Sequence, residues 1–141
     1  MNILFSGNNG IADLPVRIAF GAVFIAHGGQ KLFGWWGGYG LEATAQWMAS
    51  IGLEPGFAMA MIAGGIEFFG GIALILGVIT RPVAMAASLL MLVAMMSVHW
   101  SNGFFMSANG YEFSLTLLAM SAYLTIAVSG RLSIDSIFRR A

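Results

Sequence analysis

The chain has 141 residues, of which 59% are hydrophobic and only 9% charged, and its formal net charge is zero. Soluble domains carry about 25% charged residues, so the composition excludes an ordinary soluble domain and predicts one transmembrane domain over 1–141. Zero net charge gives no cue for nucleic acid, and the absence of cysteine excludes disulfides, thiol catalysis and thiolate metal ligation by these residues.

The opening stretch, MNILFSGNNGIADLP, has no basic start and no small-residue cleavage site, so it reads as retained. A first hydrophobic helix is expected over 14–33, with Asp13 as its N-cap and Pro15 in its first turn. Gly34 to Glu54 is rich in glycine and aromatics. Within it, LEATAQWMASIGL sets Leu41, Ala45, Met48 and Ile51 at helical spacing, as in an amphipathic helix at a membrane interface. Trp35, Trp36, Tyr39 and Trp47 fit an outer aromatic belt. A second span is expected over 57–79. A tight turn at Thr80, Arg81 and Pro82 leads into a third over 82–100. The loop SNGFFMSANGY repeats Asn-Gly, a turn signal. A fourth span over 112–128 closes at Ser129-Gly130, and 130–141 forms a short tail. The expected fold is all-α: a membrane-embedded four-helix bundle with a short amphipathic interfacial helix between the first and second spans.

Arginines orient this bundle. Arg17, Arg81, Arg131, Arg139 and Arg140 fall on the side of the termini, whereas Lys31, Glu42, Glu54 and Glu112 fall on the other. The positive-inside rule puts both termini in the cytoplasm of a bacterium, with the protein multi-pass in the inner membrane. The tail then serves as a topology determinant.

Glu67 is the one charge between Pro55 and Ile79. A carboxylate near mid-membrane costs about 2.5–3.5 kcal/mol on insertion scales, so it faces protein or water and has a partner. Ala60, Gly64 and Gly71 share its helical face and let another helix come close. His27 and Lys31 share a face of the first span. Ser88, Leu92, Met95 and His99 share one of the third. Glu67 lies roughly 15 Å below the start of its span. His27, Lys31, Glu67, His99 and Glu112 are therefore expected in one outward pocket, with Gln30, Trp100 and Asn102 at its mouth. Its walls are expected from Phe24, Phe68, Phe69, Met95, Trp100 and Phe104.

Each residue also has a plainer role open to it. Lys31 can snorkel to the interface. His99 and Trp100 can anchor there, Glu112 can sit at a helix N-terminus for the macrodipole, and His27 can be a hydrogen-bonded core histidine. Glu67 can pair with Lys31 or His27 for structure alone. No metal site is expected: the ten methionines form no repeated outer-loop set, and Lys31 lies beside the candidate ligands.

The segments HGGQKLFG from His27, EFFGG from Glu67, HWSNGFF from His99 and GYE ending at Glu112 together resemble the DoxX family of small bacterial membrane proteins. The resemblance runs from about Leu14 to Asp135. It implies a four-helix inner-membrane protein. It also implies a link to membrane thiosulfate:quinone oxidoreductases or to complexes acting in oxidative and thiol stress, working with oxidoreductase partner subunits. It transfers no catalytic residue, so the catalytic set stays unknown.

Three functions stay open on the residues. The chain can be the membrane subunit of a redox system, its pocket taking a quinone. It can pass a small solute or protons with Glu67 as relay, which would need a homo-oligomer. It can be an anchor or assembly factor whose polar cluster sets helix register.

Overall fold

The computed structural model describes residues 10–127 and 129–138. Among these it is helical throughout, with no strand. The opening residues 1–9, Val128 at the end of the fourth expected span, and Arg139 and Arg140 lie outside the described residues. Six α-helices follow in order: α1 Leu14–Phe33, α2 Gly40–Ser50, α3 Gly56–Leu76, α4 Thr80–Ala94, α5 Glu112–Ile126 and α6 Ile134–Phe138. A five-residue π turn, Met95–His99, and a 3-10 turn, Trp100–Asn102, continue α4. Gly56–Leu76 and Thr80–Asn102 are each long and apolar enough to cross a membrane, and Glu112–Ile126 is a shorter apolar helix. The 20 residues of α1 would reach about 30 Å at helical rise.

α1 and α3 pair most extensively, and they run antiparallel. Gly21 of α1 stands against Gly71 of α3, and further along Leu32 stands against Gly64. A Cβ on Gly21 would lie 2.7 Å from the Gly71 carbonyl oxygen, and one on Gly71 equally close to that of Gly21. Among apolar surroundings no hydrophobic force drives helices together, so such close backbone contact supplies the attraction through dispersion. α4 and α5 also run antiparallel. Arg81 Nη2 donates to the Ile126 carbonyl at one end, and the Ser88 hydroxyl donates to that of Ser121 midway. The main core joins Phe20, Phe24, Leu74, Ala87, Leu117 and Leu124 from these four helices. A smaller core, Ala45, Met48, Ala60 and Ala63, holds α2 on α3. α2 thus buries Ala45 and Met48 and exposes Glu42 and Gln46.

Two local readings need correction. Asp13 occupies the N-cap position, but its side chain caps nothing. Its carboxylate lies 3.1 Å from Arg17 Nε and accepts the Gly130 N–H at 2.9 Å. Arg17 is fully buried and donates to the Leu132 carbonyl. The turn before α4 is Gly77–Ile79, not Thr80–Pro82. Gly77 (φ 67°) and Ile79 (φ 43°) both take left-handed conformations. α4 starts early because Asp135 accepts the Ile79 and Thr80 N–H groups at 2.7 and 2.9 Å, satisfying donors a helix start leaves free. The tail is therefore packed: it caps α4 and covers Arg17.

Candidate functional site

The end of the molecule opposite this packed tail holds a cavity of about 800 Å³, within the ~300–1,000 Å³ usual for small-molecule sites. Its floor comes from the α1–α3 pair. The small-residue stripe on α3 turns Glu67 inward, and the carboxylate meets Lys31 Nζ at 2.7 Å. Glu67 is 4% exposed and Lys31 is half-buried. The pair neutralises itself inside an apolar region, where an unpaired charge would be costly.

His27, one turn before Lys31, also lines the cavity, and its ring centroid is 6.1 Å from that of Phe113 on α5. His99 lines the opposite side. It gets there by the π turn, whose wider i→i+5 winding rotates the residues after Met95 relative to a continuous α-helix. Leu92, expected on the His99 face, is instead exposed. His99 Nδ1 lies 3.0 Å from the Asn109 carbonyl, which ties α4 to the loop before α5.

The structure therefore brings His27, Lys31, Glu67 and His99 around one space. Asn102 and Glu112 are not among its lining residues. Asn102 Nδ2 donates to the Val98 and Asn109 carbonyls, so it braces the loop. Glu112 accepts the Met106 N–H at 2.8 Å and does the same from the other side. Gln30 donates to the Trp36 carbonyl. Of the aromatic and methionine walls expected, Phe24 alone lines the cavity. Phe68 instead packs edge-on against Phe33 and Trp35, and Trp100 stacks on Tyr111 at 4.9 Å.

The walls come from elsewhere. Tyr39, Trp47 and Met48 reach in from α2 and the turn before it, Met59 from α3, Met91 from α4 and Phe113 from α5. Spacing within α2 does mark Met48 as inward-facing, but nothing local marks which element α2 covers. Among the described residues no cluster of three or more His, Asp or Glu groups has the arrangement of a metal site. The polar set offers hydrogen-bond donors (Lys31 and the imidazoles) and one carboxylate, set in hydrocarbon and aromatic walls. Such a set can orient a carbonyl-bearing ring and exchange protons with it.

Comparison with known proteins identifies a family. Residues 12–100 match the family described as DoxX. CatD of Bacillus subtilis, provisionally named an oxidoreductase, is 34% identical over 125 residues, covering 89% of this chain and 85% of that protein. Inner membrane protein YqjF of Escherichia coli is 29% identical over 85% of each chain. Inner membrane protein YphA of the same organism is 31% identical over 83% of this chain and 81% of its own. No solved structure matches the chain. With that coverage, the chain belongs to the DoxX family and is a membrane protein.

Proposed function

We propose that this protein is the inner-membrane subunit of a redox system and that its cavity holds a quinone. In this reading α1, α3, the α4 segment through Asn102, and α5 cross the bilayer as a bundle. α2 lies at the outer interface, and both termini face the cytoplasm. The observation that carries the reading is the cavity itself: a self-neutralised Lys31–Glu67 pair and two imidazoles set among apolar and aromatic walls. The provisional oxidoreductase name of one relative supports it.

The donor set fits a quinone. Lys31, His27 and His99 supply N–H groups for ring carbonyls, and Trp47 and Phe113 supply flat apolar surface for the ring. A bound quinone would supply electron-accepting chemistry, with electrons delivered by a partner oxidoreductase subunit. This chain's residues would orient the ring, exclude water and hold exchangeable protons at Lys31 Nζ, the imidazoles and the Glu67 carboxylate. Glu67 and Lys31, joined at 2.7 Å, can shift a proton between them without leaving a bare charge.

The test is binding by protein purified in mild detergent. A quinone should quench tryptophan fluorescence saturably and raise the melting temperature. Trp47→Phe should remove most of the quenching, and His99→Ala or Lys31→Ala should weaken binding. Saturating quinone that changes neither signal would sink the redox reading and leave the anchor role.

A further inference from the structure

Resting on the quinone-type reading of the cavity, we infer that its ligand is reached from within the bilayer, through a slot between α3 and α4. The ligand is then an amphiphile with a neutral polar head and one long apolar chain. The head lies against Lys31, Glu67 and His27, and the chain leaves through the slot.

The slot follows from which residues do two things at once. Ile62 on α3 and Leu89 and Val93 on α4 line the cavity, and they are 54%, 66% and 46% exposed. Lining residues this exposed are not covered by packed neighbours, so the cavity is open between α3 and α4. All three are hydrocarbon, and in a membrane protein such faces meet lipid tails. The two helices touch near their shared turn, where a Cβ on Gly70 would lie 3.2 Å from Val83. Farther along, the cavity occupies the space between them: Ile62 and Ile66 face it from α3, and Leu89 and Val93 face it from α4.

The other approach is dressed differently. Toward the outer face the cavity meets Tyr39 and Trp47, and the His99–Asn109 contact ties α4 to the loop there. The polar lining residues are His27 and Lys31 on α1, Glu67 paired with Lys31, Ser114 on α5 and the groups at this outer rim, whereas Ile62, Ile66, Leu89 and Val93 at the slot are all hydrocarbon. This gradient orients an amphiphile: a head satisfied by donors inside, and a chain that never leaves hydrocarbon.

Charge selects the head. Lys31 and Glu67 cancel each other at 2.7 Å. A charged head would either break that pair or remain uncompensated in an apolar site, and both outcomes are costly. A neutral head with carbonyl or hydroxyl groups meets neither penalty.

The experiment uses full-length protein in phosphatidylcholine nanodiscs and two probes with the same benzoquinone ring, one without a side chain and one with a decyl chain. They are compared at equal mole fraction in the lipid, by tryptophan quenching. The decyl probe should bind about tenfold tighter. Ile62→Phe with Val93→Phe, both at exposed positions, should weaken the decyl probe about tenfold more than the bare ring. An unaltered melting temperature would show that the variant is folded. Decanoate, anionic with a similar chain, should not displace the decyl probe. If the bare ring binds as well as the decyl probe and the slot variant weakens neither, the slot is wrong and the quinone reading stands. Displacement by decanoate would overturn the neutral head. If neither probe binds the wild type, the slot and the quinone reading fall together.

Discussion

At the scale of single residues, two charges organise the molecule. Among the described residues Lys31 is the cation that neutralises Glu67, so Glu67→Ala strands an ammonium in an apolar site. Breaking a buried pair costs ~3–5 kcal/mol, and an exposed pair ~0–1 kcal/mol. Lys31 is half-buried, so about 3 kcal/mol is expected for Glu67→Ala, read as a drop in stability in detergent. Glu42→Ala, on the exposed face of α2, should leave stability unchanged. Asp135 gives a pH signature. Partial burial pushes its carboxyl up from the ordinary 3.8, but hydrogen bonds from Thr80, Ile79 and Ser129 outweigh this and hold it lower. A carboxyl depressed by folding stabilises fully above its unfolded value and loses that contribution as pH falls through the folded one. Asp135→Ala should therefore cost about 1 kcal/mol near neutrality, as the loss of a helix cap does. The gap between variant and wild type should close below about pH 3.8. A gap that shows no narrowing as the pH falls below 3.8 would show that the cap is not what Asp135 contributes. That Glu67 has a partner inside the molecule was legible in the sequence, because a lone acid in an apolar run demands one and the small-residue stripe says which way it faces; the sequence left Lys31 and His27 open, and the structure gives Lys31. The contacts of Asp13 with Gly130 and of Asp135 with Ile79 were not legible. Their partners lie 117 and 56 residues away, and no local pattern encodes a pairing that distant.

At the scale of elements, glycines decide how closely helices pack. Gly71→Ala would force a methyl group to 2.7 Å from the Gly21 carbonyl. Backbone cannot give way as a side-chain tip can, so about 1–3 kcal/mol of overpacking is expected. Gly65, on the same helix, meets nothing within 4 Å. Gly65→Ala should therefore be neutral or stabilising by up to about 1 kcal/mol through helix propensity. Thermal unfolding of the two variants side by side checks this, and equal losses would refute the close α1–α3 contact. Helix positions were mostly legible: α1 covers the residues that hydropathy and Pro15 mark, and α2 begins and ends near its apolar repeat. The cavity walls were less so. Hydropathy cannot separate a phenylalanine that faces lipid from one that faces a cavity. The π turn, which carries His99 off the Leu92 face, breaks the 3.6-residue spacing on which that face was built.

At the scale of the whole molecule, the proposed topology is open to direct test. Alkaline phosphatase fused after Ala141 should be inactive, and fused within 37–40 it should be active. The reverse pattern would place the cavity on the cytoplasmic side. The packed tail has a further consequence in time. Arg17 is made with the first described helix, yet the carbonyl that receives its guanidinium belongs to Leu132, 115 residues later. At about 5–20 residues per second of translation, the buried arginine waits on the order of ten seconds for that partner. Until then Asp13 alone offsets its charge. The first described helix is thus completed by a segment made 115 residues later. A nascent chain stalled after Ile126 would present quality-control proteases with an unfinished arginine.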